Sequence, residues 1–117
     1  MGGEQARMAV QLAVAGAFHT DYMLAAVEPL KAVLATTTFT QPRIPVVSNV
    51  DAKPHSDPDT IKALLAQQVT CPVLWEESMQ TLLGKGLTQS YELGPGKVVA
   101  GIFKRIDKTA PVTNIEV

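Results

Sequence analysis

The sequence predicts an α/β fold in which helices flank a parallel sheet. Strand-like and helix-like patterns alternate along the chain, which is typical of parallel strands joined through helices. The run Ile44–Val50 is short and strongly apolar, as expected of a strand that is buried on both faces. With 117 residues, 46% of them hydrophobic and 18% charged, the chain has the size and composition of one globular domain.

The composition argues against several classes of function. The formal net charge of −1, without a basic cluster, argues against a nucleic-acid partner. No apolar run approaches the ~18 residues that a bilayer span needs, so we expect no membrane partner. The first residues, Met1–Glu4, do not have the pattern of a signal peptide. The one cysteine, Cys71, cannot form an internal disulfide or build a zinc site alone, so we expect a small buried side chain there and no metal.

The first third of the chain predicts a strand followed by a helix. Arg7–Gly16 is rich in small and β-branched residues in near alternation, which favours a strand. Thr20 is a good helix cap. The helix that follows contains Pro29, which should kink or restart it because proline has no amide hydrogen to donate. Four apolar residues of this helix recur at helical spacing: Met23, Val27, Leu30 and Leu34.

The middle of the chain predicts a strand and two helices. Ile44–Val50 is the predicted buried parallel strand. Asp57–Pro58 predicts a helix start, because aspartate is a good cap and proline fits the first helical position. A second helix should open near Pro72 and end near Gly84 and Gly86. Its predicted apolar face consists of Trp75, Met79, Leu82 and Leu83.

The last third predicts a strand, a tight turn and a helix. The strand is Gln89–Leu93, and the amides of the turn Gly94–Gly96 should either pack closely against the backbone or contact a phosphate. The resulting order contains few central strands for a complete doubly wound domain, so the sequence suggests a piece of a larger sheet. The apolar face of the last helix consists of Val98, Val99, Ile102, Phe103 and Ile106.

Four short segments carry a resemblance to a known family. They are Gly16–Thr20 (GAFHT), Ile44–Val50 (IPVVSNV), Gln67–Trp75 (QQVTCPVLW) and Tyr91–Val98 (YELGPGKV). Their order and spacing resemble the malonyl-CoA:acyl-carrier-protein transacylase family, and the match covers the chain from about Arg7 onward. The amino-acid sequences of these segments look closest to those of plant or algal plastid-type members, which favours a plastid or mitochondrial location.

The resemblance implies that the chain is the carboxy-terminal part of an α/β-hydrolase-like acyltransferase domain. Residues 1–18 would form the last strand of a small ferredoxin-like subdomain and the return to the large one, and residues 19–117 the carboxy-terminal part of the large subdomain. The family's Gly-His-Ser-Leu-Gly nucleophile segment, its carboxylate-binding arginine and its oxyanion-hole glutamine lie upstream. No Gly-x-Ser-x-Gly occurs here, so we expect this chain alone to be inactive.

By the same resemblance, His19 is the general base, and the main-chain carbonyl of Gln68 orients its ring. From the residues alone, capping or packing is the commoner role for a histidine such as His19. Gln68 would then be only the last polar residue of an amphipathic helix. The second histidine, His55, lies in a polar loop and is expected to be solvated.

Phe18 and Asn49 are the predicted substrate-binding residues. Phe18 directly precedes His19, and a Phe-His pair resembles the malonyl-selective pattern of related acyltransferase domains, whereas a Ser-His pair resembles the methylmalonyl pattern. The ring of Phe18 could equally be a packed aromatic, and both roles can hold. Asn49 ends a predicted strand at the carboxyl edge, where sites of α/β proteins usually form, so it is a candidate for lining the site, and the opposite outcome is equally open.

The resemblance implies malonyl transfer from malonyl-CoA to the phosphopantetheine thiol of acyl carrier protein in fatty acid biosynthesis, through an acyl-serine intermediate. Its partners would be malonyl-CoA and the acidic carrier protein, which Lys97, Lys104 and Arg105 could meet by charge complementarity. No metal and no redox cofactor are implied. Two alternatives stay open, namely a noncatalytic module that binds carrier protein and an acyltransferase domain of a polyketide synthase.

Overall fold

The structure, a computed structural model, describes residue 11 and residues 13–117. The predicted strand Arg7–Gly16 falls largely outside the described residues, and so does most of the 1–18 segment assigned to a small subdomain. Residues 13–16, which are described, form no strand. The account of the fold therefore begins at the turn that carries His19.

The first helical segment changes type at a proline, as the sequence predicts. A 3₁₀-helix spans Asp21–Ala26, and helix α1 spans Val27–Thr36. Thr20 caps the first of these, because its Oγ1 accepts a hydrogen bond from the Tyr22 amide at 3.3 Å. Pro29 lies in the first turn of α1, where its missing N–H is not needed. Of the predicted kink or restart, the structure shows a restart, which begins at Val27, two residues before the proline.

The predicted buried parallel strand Ile44–Val50 is wrong. Only Val46–Val47 is a strand (β1), and it pairs in antiparallel fashion with Pro54–His55 (β2). The register places Val46 opposite His55 and Val47 opposite Pro54. The first valine is 47% exposed, so this strand is not covered on both faces. The prediction was wrong because it relied on the apolar residues of this run, which do not show where the chain turns back.

A tight reversal explains why the chain turns back at this point. The Ser48 amide donates to the Lys53 carbonyl at 3.0 Å, and the Ala52 amide donates to the Ser48 carbonyl at 2.9 Å. Ala52 adopts a left-handed backbone with φ 55°, which a residue with a side chain seldom does outside tight turns. These hydrogen bonds close a short loop between β1 and β2 and leave no room for a longer strand.

Two helices follow, and both were predicted. Helix α2 spans Pro58–Gln68, and Asp57 caps it by accepting a hydrogen bond from the Thr60 amide at 2.8 Å. Helix α3 spans Trp75–Gly84. Gly86, two residues beyond its end, has a φ of 83°, the left-handed conformation that terminates helices and that glycine adopts without strain.

A parallel strand pair closes the fold. Strand β3 spans Ser90–Leu93, helix α4 spans Val98–Ile106, and strand β4 spans Val112–Ile115. The two strands pair in parallel from Ser90 opposite Val112 to Leu93 opposite Ile115, and α4 is the crossover between them. The parallel sheet of the predicted fold class is therefore present, but its second strand is β4, which the sequence reasoning did not identify.

The core lies between α3, α4 and β4. Its buried centre is Met79, Phe103 and Ala110, at 8%, 3% and 5% exposure. The predicted apolar face of α3 and part of that of α4 do pack there. The partly buried residues around this centre are Trp75, Leu82, Leu83, Leu87, Ile106 and Val112.

The outer face of the β3–β4 pair is apolar and uncovered by the described residues. Strand β3 points its polar residues, Ser90 and Glu92, inward, whereas Tyr91 and Leu93 are 61% and 72% exposed. Ile115 of β4 is 43% exposed in the same strand pair. A sheet face of this kind is normally covered by other elements.

None of the helices in the described part of the chain has the length and apolar character needed to cross a bilayer.

Candidate active site

The backbone at His19 is held in an unusual conformation. Its φ is 62°, in the left-handed region that residues with side chains seldom occupy. The His19 amide donates to the Val69 carbonyl at 3.1 Å, and the Thr20 hydroxyl donates to the Ala17 carbonyl at 2.7 Å. These bonds fix the turn that presents the ring. Strain that the surroundings maintain in this way is typical of functional sites.

The imidazole of His19 is oriented by the end of α2. Its Nδ1 lies 2.8 Å from the carbonyl oxygen of Gln68. A carbonyl can only accept, so Nδ1 must carry the hydrogen, an assignment made from the hydrogen-bond partner. In the neutral ring, Nε2 is then the nitrogen with the free lone pair. Nε2 has no hydrogen-bond partner among the described residues, so it is available to accept a proton.

The end of α2 can make these bonds because of where the helix stops. The last carbonyls of a helix have no partner within it. Gln67 uses its carbonyl to accept the amides of Thr70 and Cys71, at 3.1 and 3.0 Å. The carbonyl oxygens of Gln68 and Val69 are left for the ring and the amide of His19.

The ring of His19 lines an open, largely apolar groove of about 520 Å³. This volume lies within the range of small-molecule sites. His19 is partly exposed, and Phe18 beside it is 53% exposed on the same groove. Both residues are therefore reachable from solvent. The other lining residues are Met23, Ala26, Leu30, Leu34, Leu65, Gln68 and Val69.

Asn49 does not line the groove of His19. It lies on a second, smaller cavity of about 190 Å³ between the β1–β2 loop and α2. The two cavities share Leu65 and Gln68. The side-chain Nδ2 of Asn49 donates to Oε1 of Gln68 at 3.4 Å, and its carbonyl accepts from the Leu74 amide at 2.8 Å. Asn49 thus contacts the support of His19, and its assignment to substrate binding stays a prediction.

The expectation that His55 is solvated is wrong. Its side chain is 19% exposed, and its Nε2 lies 2.9 Å from Oδ2 of Asp51. Partial burial raises the pKa of Asp51, but the Lys53 amide and the His55 ring stabilise the carboxylate, and the net pKa lies below its usual value. The four-residue spacing of this pair was visible in the sequence, but nothing there showed that the loop folds back.

The turn before α4 offers no vacant phosphate cradle. The amides of Val99 and Ala100, at the start of the helix, donate to the two carboxylate oxygens of Glu92, each at 3.0 Å. A helix N-terminus attracts anions, and here a carboxylate of the chain already occupies it. Of the two roles predicted for Gly94–Gly96, phosphate contact by the helix amides is therefore disfavoured.

The described residues do not complete a catalytic centre by themselves. A hydroxyl nucleophile needs to lie within hydrogen-bond reach of the base. None of the chain's four serines makes a hydrogen bond to His19 in the described structure. Within residues 11 and 13–117, no group of three His, Cys, Asp or Glu side chains comes together as metal ligands would.

Comparisons with known proteins find malonyl CoA-acyl carrier protein transacylases that are similar to this chain. No protein-family model matches it. It is 40% identical over 112 residues to the malonyl CoA-acyl carrier protein transacylase of Synechocystis, across 96% of this chain and 37% of that protein. The crystal structure of the Synechocystis malonyl-CoA:ACP transacylase superposes with a TM-score of 0.87 at 40% identity, over 95% of this chain and 38% of that one.

A further structural match is a malonyl-transacylase in complex with its type II PKS acyl-carrier protein. Its TM-score is 0.85 at 35% identity, over 90% of this chain and 34% of that one. The predicted fold class is confirmed, as a partial acyltransferase domain. The chain spans roughly a third of the length of the relatives that it matches. Along nearly its whole length, it is homologous to the carboxy-terminal part of malonyl-CoA–acyl carrier protein transacylases.

Proposed function

We propose that this chain supplies the histidine part of a site that transfers malonyl groups from malonyl-CoA to acyl carrier protein, a step of fatty acid biosynthesis. One observation carries the proposal. The ring of His19 is held through Nδ1 by the Gln68 carbonyl, with Nε2 free on an open groove. Such a ring is poised to take a proton from a nucleophile. The names of the similar proteins suggest the substrates, malonyl-CoA and acyl carrier protein, and the family resemblance of the sequence implies a serine nucleophile.

In the first step, a serine hydroxyl from outside this chain attacks the thioester carbonyl of malonyl-CoA. Nε2 of His19 takes the hydroxyl proton as the new C–O bond forms. The C–S bond then breaks, and the departing coenzyme A thiolate receives the proton from the imidazolium. The product is a malonyl-serine ester and free coenzyme A. The Gln68 carbonyl, which accepts from Nδ1, stabilises the imidazolium that exists between these transfers.

In the second step, the thiol of the phosphopantetheine arm replaces coenzyme A. His19 accepts the thiol proton, the sulfur attacks the ester carbonyl, and the serine leaves with the proton returned by the ring. No oxidant or metal is required. Phe18 lies beside His19 on the groove, where its ring would limit the space for a branched acyl group. We therefore propose that it favours malonyl over methylmalonyl.

A chimera tests the proposal directly. This chain would replace the segment that it matches in the Synechocystis enzyme, and malonyl transfer to holo carrier protein would be measured. We expect the chimera to be active and His19→Asn to lower kcat by about 10²–10⁴-fold, the usual contribution of a general base. Asparagine is chosen because it tolerates the left-handed backbone at this position.

The matched control in this chimera is His55→Asn, which removes the other histidine. Because His55 does not line the groove of His19 and hydrogen-bonds Asp51, its replacement should leave kcat within a few-fold of the parent. Unchanged transfer in the His19→Asn chimera would refute the assignment of the base.

Carrier-protein binding distinguishes the alternatives. Lys97, Lys104 and Arg105 are exposed at α4, where an acidic partner could bind. NMR shift mapping of the 117-residue chain with holo carrier protein would show whether it binds. Binding together with an inactive chimera would favour the noncatalytic module. If the chain bound a polyketide carrier protein more tightly than a fatty-acid carrier protein, the polyketide alternative would be favoured. The structural match to a malonyl-transacylase in complex with a type II PKS carrier protein is the reason for including this comparison.

We also retain a plastid or mitochondrial location as a proposal. The proposal is supported by the sequences of the four segments, which resemble those of plastid-type members of the family. A fluorescent fusion of the complete parent protein in its native cell would test it, and a uniformly cytosolic signal would contradict it.

A further inference from the structure

We infer that Asn49 is a positioning residue that acts on His19 through Gln68. This inference rests on the proposed function, because positioning matters only if His19 is the base. Asn49 lies on the cavity beside the His19 groove and contacts Gln68, the residue whose carbonyl holds the ring. Its effect on the reaction therefore passes through Gln68.

Asn49 binds both ends of the short connection between α2 and α3. Its side-chain Nδ2 donates to Gln68 Oε1 at 3.4 Å, at the last residue of α2. Its main-chain carbonyl accepts from the Leu74 amide at 2.8 Å, at the residue before α3. The segment between these two points contains Val69, whose carbonyl accepts from the His19 amide. The two carbonyls that accept hydrogen bonds from His19, those of Gln68 and Val69, therefore lie on a segment that Asn49 holds at both ends.

Asn49 itself is carried by a rigid loop. The amides of Ser48 and Ala52 and the Ser48 hydroxyl all make hydrogen bonds within the β1–β2 turn, at 3.0, 2.9 and 3.1 Å. The turn is anchored to α3, because the Thr81 hydroxyl donates to the Ala52 carbonyl at 2.9 Å. Ala52 is only 6% exposed. A side chain on such a loop can hold its partner in one geometry.

The end of α2 benefits from this support. Helix ends fray, and a free end would allow the Gln68 carbonyl to turn away from Nδ1. A base that loses its fixed partner also loses its preferred tautomer, because either ring nitrogen can then carry the hydrogen. Asn49 prevents this by tying the side chain of Gln68 while leaving its carbonyl for His19.

The tautomer of His19 gives a test that does not depend on activity. Nitrogen-15 NMR of the 117-residue chain at a pH where the ring is neutral would report which ring nitrogen carries the hydrogen. We expect Nδ1–H to predominate in the parent chain and to lose population in Asn49→Ala. Asn114→Ala is the matched control, since Asn114 is also a half-buried asparagine but hydrogen-bonds the Glu92 and Gly94 carbonyls. It should leave the tautomer unchanged.

A second variant covers the case in which Asn49→Ala fails to fold. Gln68→Met removes the side-chain oxygen that Asn49 binds but keeps the main-chain carbonyl, so it should produce the same loss of Nδ1–H. Asn49→Asp should preserve the tautomer, because Gln68 can turn its amide and donate to the carboxylate. An unchanged Nδ1–H population in Gln68→Met and in any folded Asn49→Ala would overturn the inference.

The active chimera adds a kinetic readout. We expect Asn49→Ala to lower kcat about tenfold and to leave KM for malonyl-CoA little changed. A tenfold loss is about what the removal of one hydrogen bond that positions His19 would cause. An increase in KM alone would instead identify Asn49 as a substrate contact and overturn the inference. If the tautomer shifts but His19→Asn leaves transfer intact, the positioning stands and the proposed function fails.

Discussion

His19 combines a strained backbone with two hydrogen bonds to the end of one helix. Its φ of 62° could not be predicted from the sequence, because most histidines have a negative φ even though histidine adopts the left-handed conformation more often than most residues. The pairing with Gln68, 49 positions later, was also beyond local patterns. It was predicted from the resemblance to a family, and the structure shows the contact. The catalytic role of the pair stays a proposal.

The backbone strain at His19 can be measured by comparing two substitutions. We expect His19→Gly to have a higher free energy of unfolding than His19→Ala, by about 1 kcal/mol, because alanine retains the left-handed penalty that glycine lacks. Urea denaturation of the two variants would give the difference. At the exposed helical position Ala63, replacement by glycine should instead destabilise the chain by about 0.5–1 kcal/mol. A His19→Ala variant at least as stable as His19→Gly would contradict the strain.

Asp51 gives a prediction for pH dependence. Its folded pKa lies below the ordinary value of 3.8, so the unfolded chain takes up the proton first as the pH falls. The stabilisation is therefore complete above about pH 5 and is lost as the pH drops below about 4. We expect the parent chain to lose up to about 1 kcal/mol more stability than Asp51→Asn over this interval, a modest value because the pair is partly exposed. Parallel stability curves for the two proteins would show that the pair contributes nothing.

Helix boundaries followed from local chemistry, whereas strands did not. The start of α2 at Asp57–Pro58 and the glycine stop after α3 at Gly86 depend only on residues close by in the sequence, so both could be predicted. Strand pairing depends on distant partners. Ile44–Val50 looked like a central strand but turns back after two residues, and β4 was missed because its inward position Asn114 is polar. Its carboxamide is needed there, since it donates to the Glu92 and Gly94 carbonyls.

Glu92 is the cap of α4, and its removal should cost stability. The carboxylate accepts from two amides at 3.0 Å each, and charge-assisted caps are stronger than neutral ones. We expect Glu92→Ala to lower the free energy of unfolding by about 1–2 kcal/mol in urea denaturation. Glu77, an exposed residue in the first turn of α3, is the matched control, and Glu77→Ala should change it by less than about 0.5 kcal/mol. Equal effects of the two changes would argue against the cap.

At the scale of the molecule, the chain presents one open groove and one sheet face that the described residues leave uncovered. The groove of His19 is open, and the outer face of the β3–β4 pair exposes Tyr91, Leu93 and Ile115. The sequence already suggested a piece of a larger sheet because it held few central strands. The TM-score of 0.87 to a Synechocystis enzyme shows that this piece has the conformation seen in a longer relative.

The whole-chain prediction is that the 117 residues alone transfer no malonyl group. His19 has no serine partner within the described residues, and a general base without a nucleophile cannot form the ester intermediate. Incubation with labelled malonyl-CoA, followed by mass spectrometry of the chain, would detect acylation. The active chimera is the positive control. Stable malonylation of the isolated chain at any of its serines would contradict the prediction.

The carboxylate of Glu92 has one more consequence, for how a phosphorylated substrate could be held. Because it is tethered to the strand beside α4, it has a high effective concentration at the Val99 and Ala100 amides, which disfavours the binding of a free phosphate there. Under the proposed function, a coenzyme A phosphate is therefore expected to bind cationic side chains and not this helix end. Affinity for coenzyme A should then weaken steadily as ionic strength rises.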